Sequence, residues 1–573
     1  MRFSRVIFSA LLTVPAVVAP QAPSRAAAAT RVEAPVPSSS PITDVAESVV
    51  RVKIPLPGSA GSHPPECDWL SYLRFRHRGG PAASASADKI FIAQPGILEG
   101  AGAFDSVARN TIVRAAGKGR HIEFWALDRR ANCLEDNTGV QAALAAKDPH
   151  VAVDYYYRDK PVDGHRFAGY LDNRQVRWLQ HVGLEQTLRD QYDLMVSELP
   201  DPAVRKRKAL CGGHSLGGSL TGFFAVWDFD GDHATTADAG YNQCSGYFAL
   251  DTSIKAGPIG MEQTVPSTAL PDTALGPDLI RSGLQTGIIP RSISGPALIN
   301  AETMNLLAIA GASAAIAADD RSDLATYIPS NLNQDLTYRF LFSRNLAAFV
   351  TGRPGIKDFD LTNAAALGSL LDDNAEPLAF IQTSVGFYGG ARVVDKDFPL
   401  PNQLAQIPAL QGFTSMLGEE KKAIPARPHG PLYTWRNYDR VGAAGGPVPS
   451  SRDGEPFTTP AKEVTDIHEL ARSLSEHPLD FTEDYFPTRI ATDIQLSGAF
   501  PGVAEDAVHQ NGITANPTVT VLAGDGLFPP DGSDASAVVA PGYQHLDVLT
   551  AAPVQNNGRP ETVSLNLAEF ATR

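Results

Sequence analysis

The sequence contains no run of apolar residues long enough to cross a membrane. A membrane-spanning helix needs about 20 such residues. The two longest mostly apolar runs, residues 6–18 and 306–318, are both shorter, and Pro15 interrupts the first. We therefore expect no transmembrane span in the mature chain.

Motifs for metals and cofactors are also missing. No group of Cys and His has the spacing of zinc ligands, and no Gly-x-Gly-x-x-Gly follows a predicted strand. Residues 228–232, Asp-Phe-Asp-Gly-Asp, suggest a calcium loop, but Gly231 is at the wrong offset and Ala239 stands where the bidentate acid belongs. The sequence therefore predicts neither a metal nor a cofactor.

Positive charge is scarce. The chain has 48 Lys and Arg against 63 Asp and Glu, which gives a formal net charge of −15. Residues 1–29 carry three arginines and no acid, so their removal would lower the net charge to −18. Nucleic acid and anionic membrane surfaces are therefore poor partners for this chain.

The composition that is present is typical of a globular, loop-rich protein. The 573 residues are 43% hydrophobic and include 49 Gly and 44 Pro, enough for two domains or for one domain with a large insertion. The basic residues 1–5, the apolar run and the small residues up to Ala29 predict a signal peptide, residues 1–29. We expect a secreted or periplasmic protein in which residues 30–47 form a flexible leader.

Hydrophobic periodicity predicts an α/β core in two parts of the chain. An antiparallel strand pair comes first, and strands and helices then alternate as in a parallel sheet. We assign residues 48–251 and 518–573 to this core, and residues 252–517 to a mainly helical lid inserted over the active-site end of the sheet. The predicted strands are residues 49–56, 70–76, 89–93, 121–127, 208–211, 246–251, 518–523 and 537–540, and a long helix is predicted over 173–199.

One motif dominates the predicted core. Gly213-x-Ser215-x-Gly217 lies between a short buried strand that ends at Cys211 and an apolar helix over residues 219–227. A serine on a sharp turn from strand to helix needs small residues two positions before and after it, and the turn exposes its hydroxyl at the carboxyl end of the sheet. Ser215 is therefore the predicted nucleophile.

A serine nucleophile needs a histidine base, and the histidine needs a carboxylate to orient it. His545 lies in a polar loop directly after the last predicted strand, at the same end of the sheet as Ser215. Asp525 follows the preceding strand and is the preferred acid. Asp251, at the end of an earlier strand, is the alternative. The adjacent His214 is expected to point away and pack in the core.

Two backbone N–H groups must stabilise the oxyanion that forms during acyl transfer. Leu216 follows the nucleophile and supplies the first. The glycine-rich residues 94–102 follow a buried strand at the correct end of the sheet. We expect Ile97 in this loop to supply the second.

These motifs resemble those of the α/β-hydrolase superfamily, in particular its lipases and esterases. The resemblance rests on Gly-His-Ser215-Leu-Gly-Gly, on residues 94–97 and on the terminal loop Gly-Tyr-Gln-His545. It implies a mostly parallel central sheet flanked by helices. It also implies that the turn at residues 128–130 supports the loop of Ile97. Gln94 departs from the histidine that is common there, and the insertion is larger than a usual cap.

The function implied is an exported serine hydrolase that cleaves small-molecule or lipid-like carboxylic esters through an acyl-enzyme, without a cofactor. A peptidase or a lactonase uses the same triad. A hydrolase fold that only binds ligands is an alternative of a different class.

The resemblance also bears on the four cysteines, because an exported chain permits disulfides. In the resembled fold, the strand after Cys67 runs antiparallel to the strand before Cys133, so the two cysteines meet at one edge. Cys211 and Cys244 would lie at opposite ends of parallel strands. The expected bridge is Cys67 to Cys133, with Cys211 a buried thiol.

Overall fold

The computed structural model describes residues 30–573, apart from 260, 266–268, 296, 419–421, 443–445, 500, 529–535 and 557. The predicted signal peptide, residues 1–29, lies outside these described residues. Within them, no helix combines the length and the apolar character needed to cross a membrane.

The described chain folds into 13 strands and 19 α-helices. The strands are β1 (Arg31–Val36), β2 (Val45–Lys53), β3 (Trp69–His77), β4 (Ile90–Gln94), β5 (Glu123–Leu127), β6 (Ala209–His214), β7 (Gly246–Leu250), β8 (Gly386–Gly389), β9 (Val393–Lys396), β10 (Lys422–Pro425), β11 (Thr434–Asn437), β12 (Thr518–Ala523) and β13 (Val538–Ala540). The helices are α1 (Asp105–Gly117), α2 (Thr138–Ala146), α3 (His150–Tyr157), α4 (Leu184–Glu198), α5 (Pro202–Lys208), α6 (Leu216–Val226), α7 (Met261–Thr264), α8 (Gly276–Thr286), α9 (Ala301–Ala317), α10 (Leu324–Tyr327), α11 (Leu332–Phe342), α12 (Leu346–Thr351), α13 (Asn363–Leu371), α14 (Pro401–Leu404), α15 (Ile467–Ser475), α16 (Thr488–Gln495), α17 (Pro501–Asp506), α18 (Asp547–Thr550) and α19 (Thr562–Thr572).

Nine strands form one mixed sheet in the order β1-β2-β3-β5-β4-β6-β7-β12-β13. The pairings from β1 to β5 are antiparallel, and those from β5 to β13 are parallel. The predicted α/β-hydrolase fold with one mostly parallel central sheet is therefore wrong: the sheet is mixed, and its whole first part, from β1 to β5, is antiparallel. Helices cover the sheet, with α1 packed against α19 and α6 packed against α4.

Two segments near the start of the core differ from the predictions. Residues 30–47, expected to be a flexible leader, contain β1, which extends the sheet by pairing with β2. Apolar and polar residues alternate over only six positions in β1, and the prolines and serines around it are typical of a flexible segment. The helix expected from residue 173 begins only at Leu184, because Gly183 adopts an extended conformation (φ −109°, ψ −162°).

The insertion, residues 252–517, leaves the sheet after β7 and returns at β12. It contains α7 to α17 and two small sheets, in which β8 pairs with β11 and β9 with β10. Within it, α9 packs against α15 and α13. Its residues 479–483 contact the loop that follows β4: the N–H of Gly100 donates to the carbonyl of Phe481 (2.8 Å), and the N–H of Glu483 donates to the carbonyl of Leu98 (2.9 Å).

Two disulfides join the four cysteines. Cys67 is bonded to Cys133, as expected, with their Cα atoms 5.1 Å apart. Cys211 is bonded to Cys244 with their Cα atoms 5.8 Å apart, so the prediction of a free thiol at Cys211 is wrong. The cause lies in β6, which continues three residues past Cys211 to His214. Cys211 therefore lies opposite Tyr247 near the start of β7, within reach of Cys244.

Candidate active site

Ser215 occupies a strained turn between β6 and α6. Its backbone has φ 51° and ψ −118°, a conformation that costs a non-glycine residue about 1–3 kcal/mol and persists only where the surroundings enforce it. The flanking glycines are required by a close contact. A Cβ atom on Gly213 or on Gly217 would lie only 2.2 Å from the carbonyl oxygen of Gln94. The predicted elbow, residues 213–217, therefore packs directly against the loop that follows β4.

The sheet places Asp251 beside Ser215. His214 pairs with Leu250 in the register of β6 and β7, so the residues that follow these two partners emerge next to each other. The N–H of Ser215 donates to the carbonyl of Leu250 (3.2 Å). Asp251 is fully buried and also has a positive φ, of 39°.

His545 is bound to Asp251. Its Nδ1 donates to Asp251 Oδ2 over 2.6 Å. The same carboxylate accepts hydrogen bonds from the N–H of Ala523 (3.0 Å) and of Leu527 (3.1 Å), which fix its orientation. This arrangement holds His545 in the tautomer that leaves Nε2 free to accept a proton, which a base for serine requires.

The structure does not bring the preferred acid, Asp525, to His545. Asp525 forms an ion pair with Lys462 (3.2 Å), and its side chain is 31% exposed. The prediction that Asp525 orients His545 is wrong, and the alternative acid, Asp251, makes this contact. Gly524 and Asp525 lie beyond the end of β12 and the turn carries the Asp525 side chain outward, whereas Asp251 directly follows β7.

The environment of His545 favours its neutral form. The ring is buried, and burial is the main reason that the pKa of His545 lies below its usual value. The neighbouring His214 lowers it further, and Asp251 only partly opposes the shift. A histidine with a lowered pKa is unprotonated at neutral pH, as a general base must be.

Residues 94–102, which begin at the last residue of β4 and are hereafter called the Gln94 loop, provide the second predicted backbone donor. Ile97 and Leu216 are both buried. Among the described residues, no hydrogen-bond acceptor is found for the N–H of either residue. Unpaired buried N–H groups are rare in folded proteins, so these two are suitable donors for an oxyanion.

Arg129 holds the Gln94 loop in place. Its guanidinium donates to the carbonyls of Pro95 and Glu99 (both 2.8 Å) and to Glu483 of the insertion (2.7 Å). The expectation that residues 128–130 support this loop is thus confirmed. The arginine also connects the loop to the insertion.

A small, mostly apolar cleft with a cavity volume of about 20 Å³ adjoins the site. It lies between the Gln94 loop, Leu546 next to His545, and side chains of the insertion. The residues that line it are Ile97, Leu98, Glu99, Met304, Leu307, Leu371, Phe380, Ile381, Leu474, Phe481, Thr482 and Leu546. A cavity of this volume has room for about one water-sized group.

Sequence reasoning missed the roles of Glu99 and His214. His214 is fully buried, and its Nδ1 is 2.7 Å from Glu99 Oε1. The sequence contains one signal for this pair: a glutamate in the otherwise apolar and glycine-rich Gln94 loop. Such a residue needs a partner once it is buried.

Four groups of acidic and histidine side chains in the described residues are close enough to hold a cation. In the active site these are Glu99, His214 and His545. Both nitrogens of His214 already face acceptors, and His545 Nδ1 donates to Asp251, so this trio is engaged as a hydrogen-bond network. The other groups are Glu47, Asp105 and His477; Asp228, Asp230 and Asp238; and Asp372, Asp373 and Glu463.

No family model, curated protein or solved structure matches this chain. The resemblance seen in the elbow motif therefore stays a prediction.

Proposed function

We propose that this chain is a serine hydrolase that cleaves carboxylic esters through an acyl-enzyme. The observation that carries the proposal is the strained turn at Ser215, set in the sheet next to the hydrogen-bonded pair of His545 and Asp251. A strained nucleophile turn, a buried neutral histidine and a fixed carboxylate are the parts that serine-based acyl transfer requires.

The chemistry follows from these parts. Ser215 Oγ attacks the ester carbonyl carbon while His545 Nε2 takes the hydroxyl proton, and Asp251 stabilises the imidazolium that forms. The N–H groups of Leu216 and Ile97 bind the oxyanion of the tetrahedral intermediate. Its collapse breaks the bond to the alcohol, which leaves with the proton from His545. Water activated by His545 then releases the acid and restores Ser215.

The apolar cleft supports an ester with an apolar acyl group. Leu98, Met304 and Phe481 are among its lining residues, and most of the others are aliphatic or aromatic. Each buried CH₂ of a substrate gains about 0.8 kcal/mol. Because the cleft has room for about one water-sized group, rates with a series of p-nitrophenyl esters should be highest for short acyl groups.

Export is part of the proposal. The predicted signal peptide precedes a chain whose four cysteines all form disulfides, and disulfides persist in oxidising compartments. Cell fractionation with N-terminal sequencing tests this. A mature chain that begins at Thr30 is expected outside the cytoplasm, and a cytoplasmic chain that retains Met1 would contradict export.

A fluorophosphonate probe tests the nucleophile. Wild-type protein should be labelled on Ser215, and Ser215→Ala should abolish labelling and lower ester hydrolysis by roughly 10³-fold or more. Ser219, buried in the same helix with its hydroxyl bonded to the carbonyl of Gly257, offers a matched control. Ser219→Ala should keep both the fluorophosphonate labelling and the ester hydrolysis.

Other outcomes would identify other functions. Turnover of peptide or lactone substrates in preference to esters would indicate a peptidase or a lactonase. A folded protein that takes no label and hydrolyses none of these substrates would indicate a binding protein.

A further inference from the structure

The unexpected feature of the site is the buried ion pair of Glu99 and His214. Glu99 belongs to the Gln94 loop, and His214 is the last residue of β6, directly before Ser215. Their contact, from Nδ1 to Oε1, is 2.7 Å long, and neither side chain is appreciably exposed. An ion pair removed from water in this way needs further hydrogen bonds to offset its desolvation.

Both partners have such hydrogen bonds, and each bond leads to a different part of the site. Glu99 Oε2 accepts from the N–H of Gly96 (2.6 Å), next to Ile97. His214 Nε2 donates to the backbone carbonyl of His545 (3.0 Å). The pair therefore connects the loop of the second oxyanion donor to the loop of the base, directly beneath the nucleophile.

The hydrogen bonds also define the charge of His214. Its two nitrogens face a carboxylate and a carbonyl, which both accept, so both nitrogens donate and the ring is an imidazolium. Burial opposes charge on both partners, but their mutual attraction prevails. It raises the pKa of His214 above its usual value and keeps the pKa of Glu99 below its usual value.

This positive charge lies against the base. The ring centroids of His214 and His545 are 4.3 Å apart. The other titratable groups that face the two rings are Glu99 from the Gln94 loop and Asp251 from the end of β7. A like charge at this distance disfavours protonation of the second ring.

We propose that Glu99 and His214 are positioning residues: they tie the Ile97 loop to the His545 loop and hold a fixed imidazolium against the base. This inference rests on the proposed hydrolase function. It assigns to His214 a task that its position inside the elbow motif alone does not reveal. The charge keeps His545 ready to accept the proton of Ser215 at lower pH than a solvated histidine could.

The pH dependence of kcat/KM, or of fluorophosphonate labelling, separates this role from a structural one. His214→Gln removes the positive charge and leaves Glu99 ionised near His545. The acid limb of the profile should therefore move to higher pH by about one unit. Glu99→Gln removes the carboxylate and with it the proton on His214, so the two changes largely cancel and the limb should move less.

His477 provides a matched control. It is equally buried, and its Nδ1 lies 2.7 Å from Glu47 Oε1, but its other charged neighbours are Asp105 and Arg472 rather than His545. His477→Gln should lower stability and leave the acid limb in place. A folded His214→Gln enzyme whose limb does not move would overturn the proposal.

Two measurements do not depend on the folding of His214→Gln. The acid limb of the wild-type profile should lie below pH 6.5, the ordinary histidine pKa, and a limb above it would refute the proposed environment. Histidine ¹⁵N NMR needs no turnover. With His477 replaced by Gln to remove its signal, a ring with both nitrogens protonated at pH 8 should be present in the Ser215→Ala protein and absent once Glu99→Gln is added, and its absence from the Ser215→Ala protein would overturn the pair. If fluorophosphonate does not label Ser215, the proposed hydrolase function is wrong. The ¹⁵N signal still shows in that case whether His214 is protonated.

Discussion

At the scale of single residues, the contact of Asp251 with His545 depends on the position of Asp251 in the chain. It directly follows β7, next to Ser215, which directly follows β6, and three hydrogen bonds hold its carboxylate. Asp525 follows the neighbouring strand but turns toward Lys462 and solvent. Two aspartates at the ends of adjacent strands thus differ in role because of the turn that follows each strand.

Exchange of each aspartate for asparagine tests this difference. Asp251→Asn should lower kcat for ester hydrolysis by roughly 10⁴-fold, because asparagine favours the wrong tautomer of His545. Asp525→Asn removes only a partly exposed ion pair, worth about 1 kcal/mol or less, and should change kcat less than about twofold. Steady-state kinetics on both variants checks this. A large loss of kcat in Asp525→Asn would indicate that Asp525 is the acid that orients His545.

At the scale of elements, the site depends on how closely the Gln94 loop approaches the elbow between β6 and α6. Glycines at 213 and 217 allow the carbonyl of Gln94 to reach positions where any Cβ would collide. Arg129 then fixes the other side of the loop. The distance between the two expected oxyanion donors therefore depends on the absence of a side chain at both positions.

Gly217→Ala tests this packing. The new Cβ would lie 2.2 Å from the Gln94 carbonyl and should displace the loop of Ile97. A misplacement of about 1 Å can lower the rate by roughly 100-fold, so kcat should fall by that order while fluorophosphonate still reaches Ser215. Gly117, in the last turn of α1, has no atom within 4 Å of its Cβ position. Gly117→Ala should keep full activity, and equal activity in both variants would contradict the argument.

At the scale of the whole molecule, several half-buried acids lie at the junction between core and insertion. Asp128 of the core lies near Asp480 of the insertion, and removal from water raises the pKa of each to about 7. Glu135 and Asp484 nearby are also half-buried, and the same desolvation raises their pKa values. The junction is therefore most favourable when these carboxyl groups are protonated.

The sign of the pH dependence follows. A carboxyl whose pKa is higher in the folded state contributes stability below its unfolded pKa, and this stability is lost as the pH rises through the folded value. The free energy of unfolding should therefore fall between pH 5 and pH 7, by about 1.4 kcal/mol for each unit of pKa shift that titrates in this range. Urea unfolding across this range measures it.

Asp128→Asn is the informative variant for that experiment. It keeps the shape of the side chain and its contact with Asn132 but removes one titrating group, so its stability should depend less on pH than that of the wild type. A wild-type stability that increases from pH 5 to pH 7 would contradict the assignment of these acids.

The sequence by itself determined the turn at Ser215 and the histidine loop. Both depend on local rules: small residues around a strained serine, and a polar loop after a buried strand. The bridge between Cys67 and Cys133 was expected from the resemblance to a known fold, in which the strands next to these cysteines pair. Ser215, His545, Ile97 and Leu216 all lie where this reasoning placed them, at one end of one sheet.

Only the tertiary structure decided the rest. Whether Asp251 or Asp525 meets His545 depends on side-chain direction beyond a strand end, which no spacing encodes. The bridge between Cys211 and Cys244 depends on three further residues of β6, and the edge of the sheet depends on β1, which pairs with β2 beyond a turn. Glu99 and His214 pair because the Gln94 loop and the end of β6, which are distant in the chain, are adjacent in the fold. A buried charged group needs a partner of opposite charge.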